Sequence, residues 1–522
     1  MAERTELMLS IDCGTQSVRA LLFDLDGELV ARTQRPLNDY RVPQPGWLEH
    51  DGDAFWQAGA DCCQMLWQQD PRWRRAVRGV AVTTQRGSIM PVDQQGHCLH
   101  PALIWLDQRR ATQLPSLSLR WRLLFNAIGA TDAIRYLQQE AEVNWLAQHE
   151  GALHRAAYKY LLVSGLFNQR LTGRFADSLG SMVAYLPFDY RKHQWAGASD
   201  WKWQALAVRP DQLPELLPVG SVMGAVSAAA AAATGIPAGT PVIAAAADKA
   251  CEILGSGALL PTIGALSYGT TATVNVTLAR YLEATPLMPA YPAAIPGSYS
   301  TEVQIFRGYW MVNWFKEQFG HPERASAESL GVSPEALFDE MIADIPSGSM
   351  GLMLQPYWSP GVRQPGPNAK GAVIGFGDVH TRAHLYRAIL EGLAYALREG
   401  AERIEKRGRL KLTELRVSGG GSQSDAAMQL TADVFNLPTA RPHTHETSGL
   451  GAAIDCAVGL GLHPDFKTAV ARMTRIGSLF EPTPGNVAIY EALYQRVYKP
   501  MYSRLSPLYS EIQKITGYPR RD

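Results

Sequence analysis

At 522 residues the chain exceeds what one ordinary hydrophobic core organises, so two domains of roughly 250 residues each are expected. Its 49 Lys plus Arg balance 49 Asp plus Glu, with no basic block or acidic tail, which leaves no footprint for nucleic acid or an anionic membrane surface. Six cysteines without a CxxC pair, a charged start without a signal-peptide apolar stretch, and no apolar run near the ~20 residues that cross a bilayer predict reduced thiols and a cytoplasmic protein.

Leu7 to Val30 reads as an apolar strand, a tight polar turn over Asp12 to Ser17, a second apolar strand, then Asp26-Gly27 and the start of a third. Ser227 to Thr234 is almost pure alanine and predicts a helix, broken by Gly235 to Pro241. Val242 to Ala247 predicts a buried strand that delivers Asp248 at its end. The domain boundary is expected between Gly255 and Pro261, dividing the chain into 1–255 and 256–522. A second polar-tipped hairpin follows, with Gly269-Thr270-Thr271 between apolar segments. Thr381 to Lys406 carries apolar residues on one helical face, Leu412 to Val417 is a short strand, Gly419 to Gly421 a sharp turn, and Asp425 to Phe435 another helix. Strands alternating with helices give an α/β fold.

Phosphoryl transfer asks a protein for close backbone approach to phosphates, a held Mg2+ ion and a base near the attacking hydroxyl. Asp12-Cys13-Gly14-Thr15-Gln16-Ser17 combines a carboxylate, a glycine and three hydrogen-bonding side chains, and Arg19 follows on the strand face of Ser17. Gly269-Thr270-Thr271 offers donors to the other side of the same phosphates. Each segment also has a plain structural reading: Asp-x-Gly-Thr is an ordinary turn, Gly419 to Gly421 a tight connection, and Asp248 a helix cap. GxxxxGK[ST], the protein-kinase set, HExxH and paired CxxC motifs are all absent from the sequence. His380, His384, His443 and His445 are the nearest approach to a zinc cluster, without the zincin glutamate.

Five ordered segments together resemble the FGGY carbohydrate kinases, the family of glycerol kinase and xylulokinase, over roughly Met8 to Leu460. They are Ser10 to Ser17; Pro45-Gly46-Trp47-Leu48-Glu49-His50-Asp51; Ile104-Trp105-Leu106-Asp107-Gln108-Arg109; Ala247-Asp248-Lys249; and Gly371 to Phe376 followed by His380 to Gly392. The resemblance implies two actin-like (RNase H-like) ATPase domains flanking a cleft, with ATP and Mg2+ as cofactors and a small sugar or polyol as substrate. It implies that Asp248 is the general base, and that Asp12 and Asp248 serve Mg2+ through water. Gly14, Thr15, Gln16, Ser17, Arg19, Gly269, Thr270 and Thr271 would meet the phosphates, and Gly420, Gly421 and Ser424 the adenosine. The His380 to Glu391 helix is expected to pack between the domains, and resembling enzymes are often homodimers or homotetramers.

Gln85, Arg86, Trp105, Asp107, Asp248 and Lys249 are the candidate substrate contacts. Gln85-Arg86 is similar to glycerol kinase, but Gly87 replaces the glutamate that follows there, which leaves space for a substrate larger than glycerol, such as a xylulose-like ketose. Trp105 and Asp107 read equally as pocket wall or as a buried Trp beside a capping Asp. Lys249 either faces an acidic sugar or neutralises Asp248, and Glu140 and Glu142 stand where relatives carry a lysine. The alternatives are a non-catalytic sugar- or nucleotide-binding regulator on this fold, which intact Asp12, Thr15, Asp248 and Thr270 disfavour, and another actin-like ATPase, which the segment after Gly371 disfavours.

Overall fold

Two sheets of matching order organise the computed structural model, which describes residues 6–332, 334–359, 361 and 365–518. The first contains β1 (Leu7–Cys13), β2 (Ser17–Phe23), β3 (Leu29–Pro36), β4 (Val77–Thr84) and β5 (Pro241–Ile243) in the order β5-β4-β1-β2-β3, with Val222–Ala225 beyond β5. β1, β2 and β3 form an antiparallel meander, and β4 and β5 add in parallel on the other side of β1.

The second contains β6 (Ile263–Tyr268), β7 (Ala272–Leu278), β8 (Tyr299–Ile305), β9 (Glu414–Ser418) and β10 (Thr439–Pro442) in the order β8-β7-β6-β9-β10. Its meander and its parallel additions have the same senses. A duplicated 3-2-1-4-5 order is the RNase H-like arrangement, and each first hairpin delivers a polar tip to the same edge of its sheet. β1 and β6 are buried at every residue, as strands at the centre of a covered sheet must be.

The alanine run forms α1 (Ala228–Thr234), capped by the Ser227 side chain and ended by Gly235 in the left-handed region. The strand expected over Val242 to Ala247 pairs only through Ile243. Beyond it the chain finds other partners: Ala244 N donates to the Ser221 carbonyl, Ala246 N to Asp455 and Ala247 N to the Gly180 carbonyl. Asp248 then opens α2 (Asp248–Gly255).

The helix predicted from Thr381 is α3 (Arg382–Gly408), and α4 (Asp425–Phe435) has its expected span. The interdomain role expected for α3 is corrected: Tyr386, Ile389, Leu393 and Leu397 lie in one core with Leu266, Val274 and Val417 of the second sheet. Glu391 closes that core, pairing with Arg387 and accepting from Gly348 N, Ser349 and Tyr490.

The element that joins the halves is α5 (Thr447–Gly459), far along the chain. Leu450, Ile454 and Ala457 pack with Met8, Leu21, Ile243 and Cys251 of the first half. α2 and α5 touch backbone to backbone, since a side chain on Gly255 would overlap Thr447 and one on Gly451 would overlap Cys251. Among the described residues the six cysteines are free thiols and no helix is long and apolar enough to cross a membrane.

Candidate active site

The tip between β1 and β2 is a braced turn. Thr15 Oγ1 donates to Gln85 Oε1 (3.1 Å) and accepts from Trp105 Nε1 (2.9 Å), while Tyr40 donates its hydroxyl hydrogen to the Thr15 carbonyl. Gln85 N also donates to the Cys13 carbonyl (2.8 Å). Three candidates from separate segments thus meet around one hydroxyl.

Arg19, expected at the phosphates, is held instead between carboxylates: Nη1 lies 3.3 Å from Asp12 Oδ2 and 3.3 Å from Glu446 Oε2. Glu446 holds the position before α5, without a side-chain bond to the helix, and also pairs with Arg32 (3.0 Å). Arg19 therefore ties the Asp12 strand to the joining helix. Burial lifts the Asp12 carboxyl to about 7; Arg19 opposes this, and the charges of Glu446, Asp248 and Glu252 add to it.

Asp248 stands at the N-terminus of α2, yet it is not the cap: Ala247 holds that position without a side-chain bond. Among the described residues the carboxylate accepts only from Lys249 N (2.7 Å). Its pKa is raised, chiefly by burial, against the lowering fields of Lys249 and Arg86. Of the two readings of Lys249, the ion pair with Asp248 does not form among the described residues, although the Lys249 charge still acts on that carboxylate. Lys249 Nζ donates to Glu252 Oε2 (2.8 Å) and Ser267 Oγ (2.5 Å), and it lies 3.6 Å from where a side chain on Gly269 would begin. Its cation thus belongs to the second hairpin. Glu252 also accepts from Ser418 (2.7 Å), so one carboxylate links α2, β6 and β9.

Arg86, at the end of β4, meets Glu302 of β8 in a two-point pair, Nη1 to Oε2 and Nη2 to Oε1, both 3.2 Å. Tyr291 lies beneath the guanidinium, 5.3 Å from its ring centroid. Gly87 has φ +70°, so the glycine meets a backbone requirement, and a side chain begun there would meet the Trp105 Cβ at 3.5 Å. Asp107 is corrected from pocket wall to internal clamp. It accepts from Leu48 N (2.6 Å) and Arg109 Nε (2.8 Å), and Arg109 in turn reaches Glu49 and stacks between Trp47 and Trp145. Two of the ordered segments therefore pack on one another through Arg109.

Across the cleft, Thr270 is exposed, and Gly269 and Thr270 offer their carbonyls to Tyr309 N and Trp310 N at 3.3 and 3.4 Å. Gly420 and Gly421 follow β9; Gly421 lies against Tyr268 and Tyr309, whose rings stack at 4.3 Å, and a side chain on Gly420 would meet open space. Ser424, expected at the adenosine, is spent on the fold: it caps α4 through Ala427 N (3.0 Å) and donates to Asp339 (2.6 Å). The rings of His380, just before α3, and His384, in its first turn, are neighbours, but His443 turns to the Gly27 carbonyl. Among the described residues no three His, Cys, Asp or Glu gather as a metal cage. Asp12, buried, and Asp248, half-buried and in its field, form a donor set suited to a hard cation that keeps most ligands as water and phosphate.

A protein-family profile for the N-terminal domain of the FGGY carbohydrate kinases matches residues 7–255, and one for their C-terminal domain matches residues 264–460. The chain belongs to the FGGY family of carbohydrate kinases. It is an ATP-dependent carbohydrate kinase of two actin-like domains. The kinase is 28% identical over 502 residues to an uncharacterized sugar kinase of Escherichia coli K12, covering 94% of this chain and 92% of that one. It is 28% identical over 505 residues to a xylulose kinase of Lactococcus lactis, covering 96% and 97%. The crystal structure of a xylulose kinase from Rhodospirillum rubrum matches with a TM-score of 0.80 at 26% identity, covering 97% and 100%.

Several groups of this kinase escaped the sequence reading. Glu252 had a signal, since Lys249 and Glu252 are three apart on a helix that starts at Asp248. Glu302, Tyr291 and Glu446 had none, because each meets its partner across hundreds of residues.

Proposed function

We propose that this kinase phosphorylates a hydroxyl of a small sugar or polyol larger than glycerol, a xylulose-like ketose being the reference case, with Asp248 as base. What carries the reading is the position of Asp248: a carboxylate with one backbone donor, at a helix start, in the fields of Asp12 and Arg86. As the substrate oxygen bonds to the γ-phosphorus, the bond from that phosphorus to the bridging oxygen breaks. ADP leaves with the electron pair, and the hydroxyl proton passes to Asp248. Thr15 and its neighbours fix one tip beside the phosphates, and the Gly269 to Thr271 tip with Lys249 faces them from the other side. Asp12 and Asp248 would hold Mg2+ through water, and the ion would supply charge neutralisation of the phosphates. Gly87, which stands without the carboxylate that glycerol kinase carries there, supports an acceptor larger than glycerol, and six free thiols support a cytoplasmic setting.

The test is ADP release with ATP and Mg2+ against glycerol, xylulose, ribulose and xylitol. Release that depends on a five-carbon compound and stops with EDTA is expected. Hydrolysis indifferent to the sugar, or turnover with glycerol alone, would sink the reading.

A further inference from the structure

The acceptor region holds two cations, and both are already paired. Lys249 is bound by Glu252 and Ser267 at the second hairpin. Arg86, which lies in the field of Asp248, gives one hydrogen of each terminal nitrogen to Glu302. The Glu302 side chain is 2% exposed and that of Arg86 16%, so water screens the pair poorly. Gln304 also donates to the Glu302 carboxylate, and Tyr291 closes the guanidinium face. Nearby, Tyr185 has Glu140, Glu142 and Tyr291 in its field, and Glu140 is itself paired with Arg110 at 2.6 Å. Two carboxylates, Glu302 and Asp248, thus act on a guanidinium whose fork is filled from the opposite half of the molecule.

We infer that Glu302 sets the charge class of the acceptor: by occupying Arg86 it makes the site select an uncharged sugar or polyol over a sugar acid. A substrate carboxylate seeking Arg86 would have to displace a carboxylate with the same two-point geometry, and the displaced Glu302 would be left buried without its cation. An uncharged hydroxyl asks for no displacement, because the remaining guanidinium hydrogens can donate to it. Selectivity here comes from a repulsive element as much as an attractive one. Because Glu302 lies on β8 and Arg86 two residues past β4, the same pair makes this selectivity depend on both halves.

The inference rests on the acceptor-site reading above, and the experiment separates the two. Xylulose and xylonate, matched in carbon number, are compared as acceptors for wild type, Glu302→Gln and Glu302→Asp, with xylitol and xylonate compared as inhibitors of the wild type. Wild type is expected to favour xylulose. Glu302→Gln should shift the ratio of kcat/KM toward xylonate by about tenfold or more, and Glu302→Asp should restore the wild-type ranking. A folded Glu302→Gln with an unchanged ratio overturns the inference. Should that variant fail to fold, the wild-type inhibition decides: xylonate binding as tightly as xylitol overturns it, and binding about tenfold weaker or more supports it. Wild-type turnover of xylonate equal to that of xylulose overturns only this inference. No sugar-dependent ADP release at all overturns the acceptor-site reading and takes the inference with it.

Discussion

The two polar-tipped hairpins occupy equivalent places in two sheets of the same order, yet they are held in opposite ways. At the first, Thr15 is fixed through its hydroxyl by Gln85 and Trp105 and through its carbonyl by Tyr40. At the second, the side chains of Thr270 and Thr271 make no hydrogen bond among the described residues, and two backbone bonds of 3.3 and 3.4 Å hold the tip. One tip is braced by side chains of its own half, and the other leaves its two hydroxyls unbonded. On the proposed function, the bonds that the braced tip shares with Gln85 and Trp105 would fix phosphate and acceptor positions as one unit, and the unbraced tip would be free to follow the nucleotide. Asp248 and Lys249 lie together at the start of α2, the first as the proposed base and the second bonded to Ser267 of the second hairpin.

The largest expected effect tests whether Asp248 belongs to neither tip. Asp248→Asn should lower turnover by roughly 10² to 10⁴ while leaving ATP affinity within about threefold, measured by steady-state ADP release and nucleotide titration. Its pKa is raised, so protonation below that value removes the base. The acid limb of kcat/KM should therefore lie above the ordinary carboxylate value and vanish from whatever activity the variant retains. An ATP affinity lost in step with turnover would instead place Asp248 in the nucleotide site.

Lys249→Met comes next. It leaves Glu252, buried at 6% exposure, with only the hydroxyls of Ser267 and Ser418, and should cost about 3 kcal/mol in urea unfolding. Adding Glu252→Gln should recover much of that loss, because the stranded charge is then gone. If the double variant is no more stable than the single one, Lys249 was not there to compensate Glu252. Loss of ATP binding that persists in a restabilised double variant would mark Lys249 as a phosphate-facing cation.

Local chemistry was legible in the sequence wherever it repeats along the chain. The hairpin from Leu7, the alanine helix with Ser227 and Gly235 at its ends, and the helix from Asp425 all follow from periodicity and caps. The order of segments pointed to the family and its two-domain fold, and to Asp248 as the base that is proposed. What the sequence could not carry was the partner of each charge. Arg19 faces the cleft by strand alternation, but Glu446, 427 positions away, claims it. Asp107 looks like a pocket carboxylate until Arg109 folds back on it, and Ser424 is a cap because α4 begins at the next residue. Charges in this kinase are paired by the closing of two sheets on α5, an event with no local signature.

The smallest effects compare the hairpins directly. Thr15→Ala removes a hydroxyl that both gives to Gln85 and receives from the Trp105 indole, leaving two part-buried groups without a partner. It should cost roughly 1 to 2 kcal/mol of stability, read by urea unfolding of the ligand-free protein. Thr270→Ala removes a hydroxyl that bonds to nothing in the described structure, so ligand-free stability should hold within about 0.5 kcal/mol. Its effect should emerge only with nucleotide, as an ATP KM raised by several-fold, the order expected for one hydrogen bond to a charged phosphate. Equal losses of ligand-free stability in the two variants would erase the distinction between a braced tip and a waiting one. An unchanged ATP KM in Thr270→Ala would leave the second hairpin loose without a ligand to explain it.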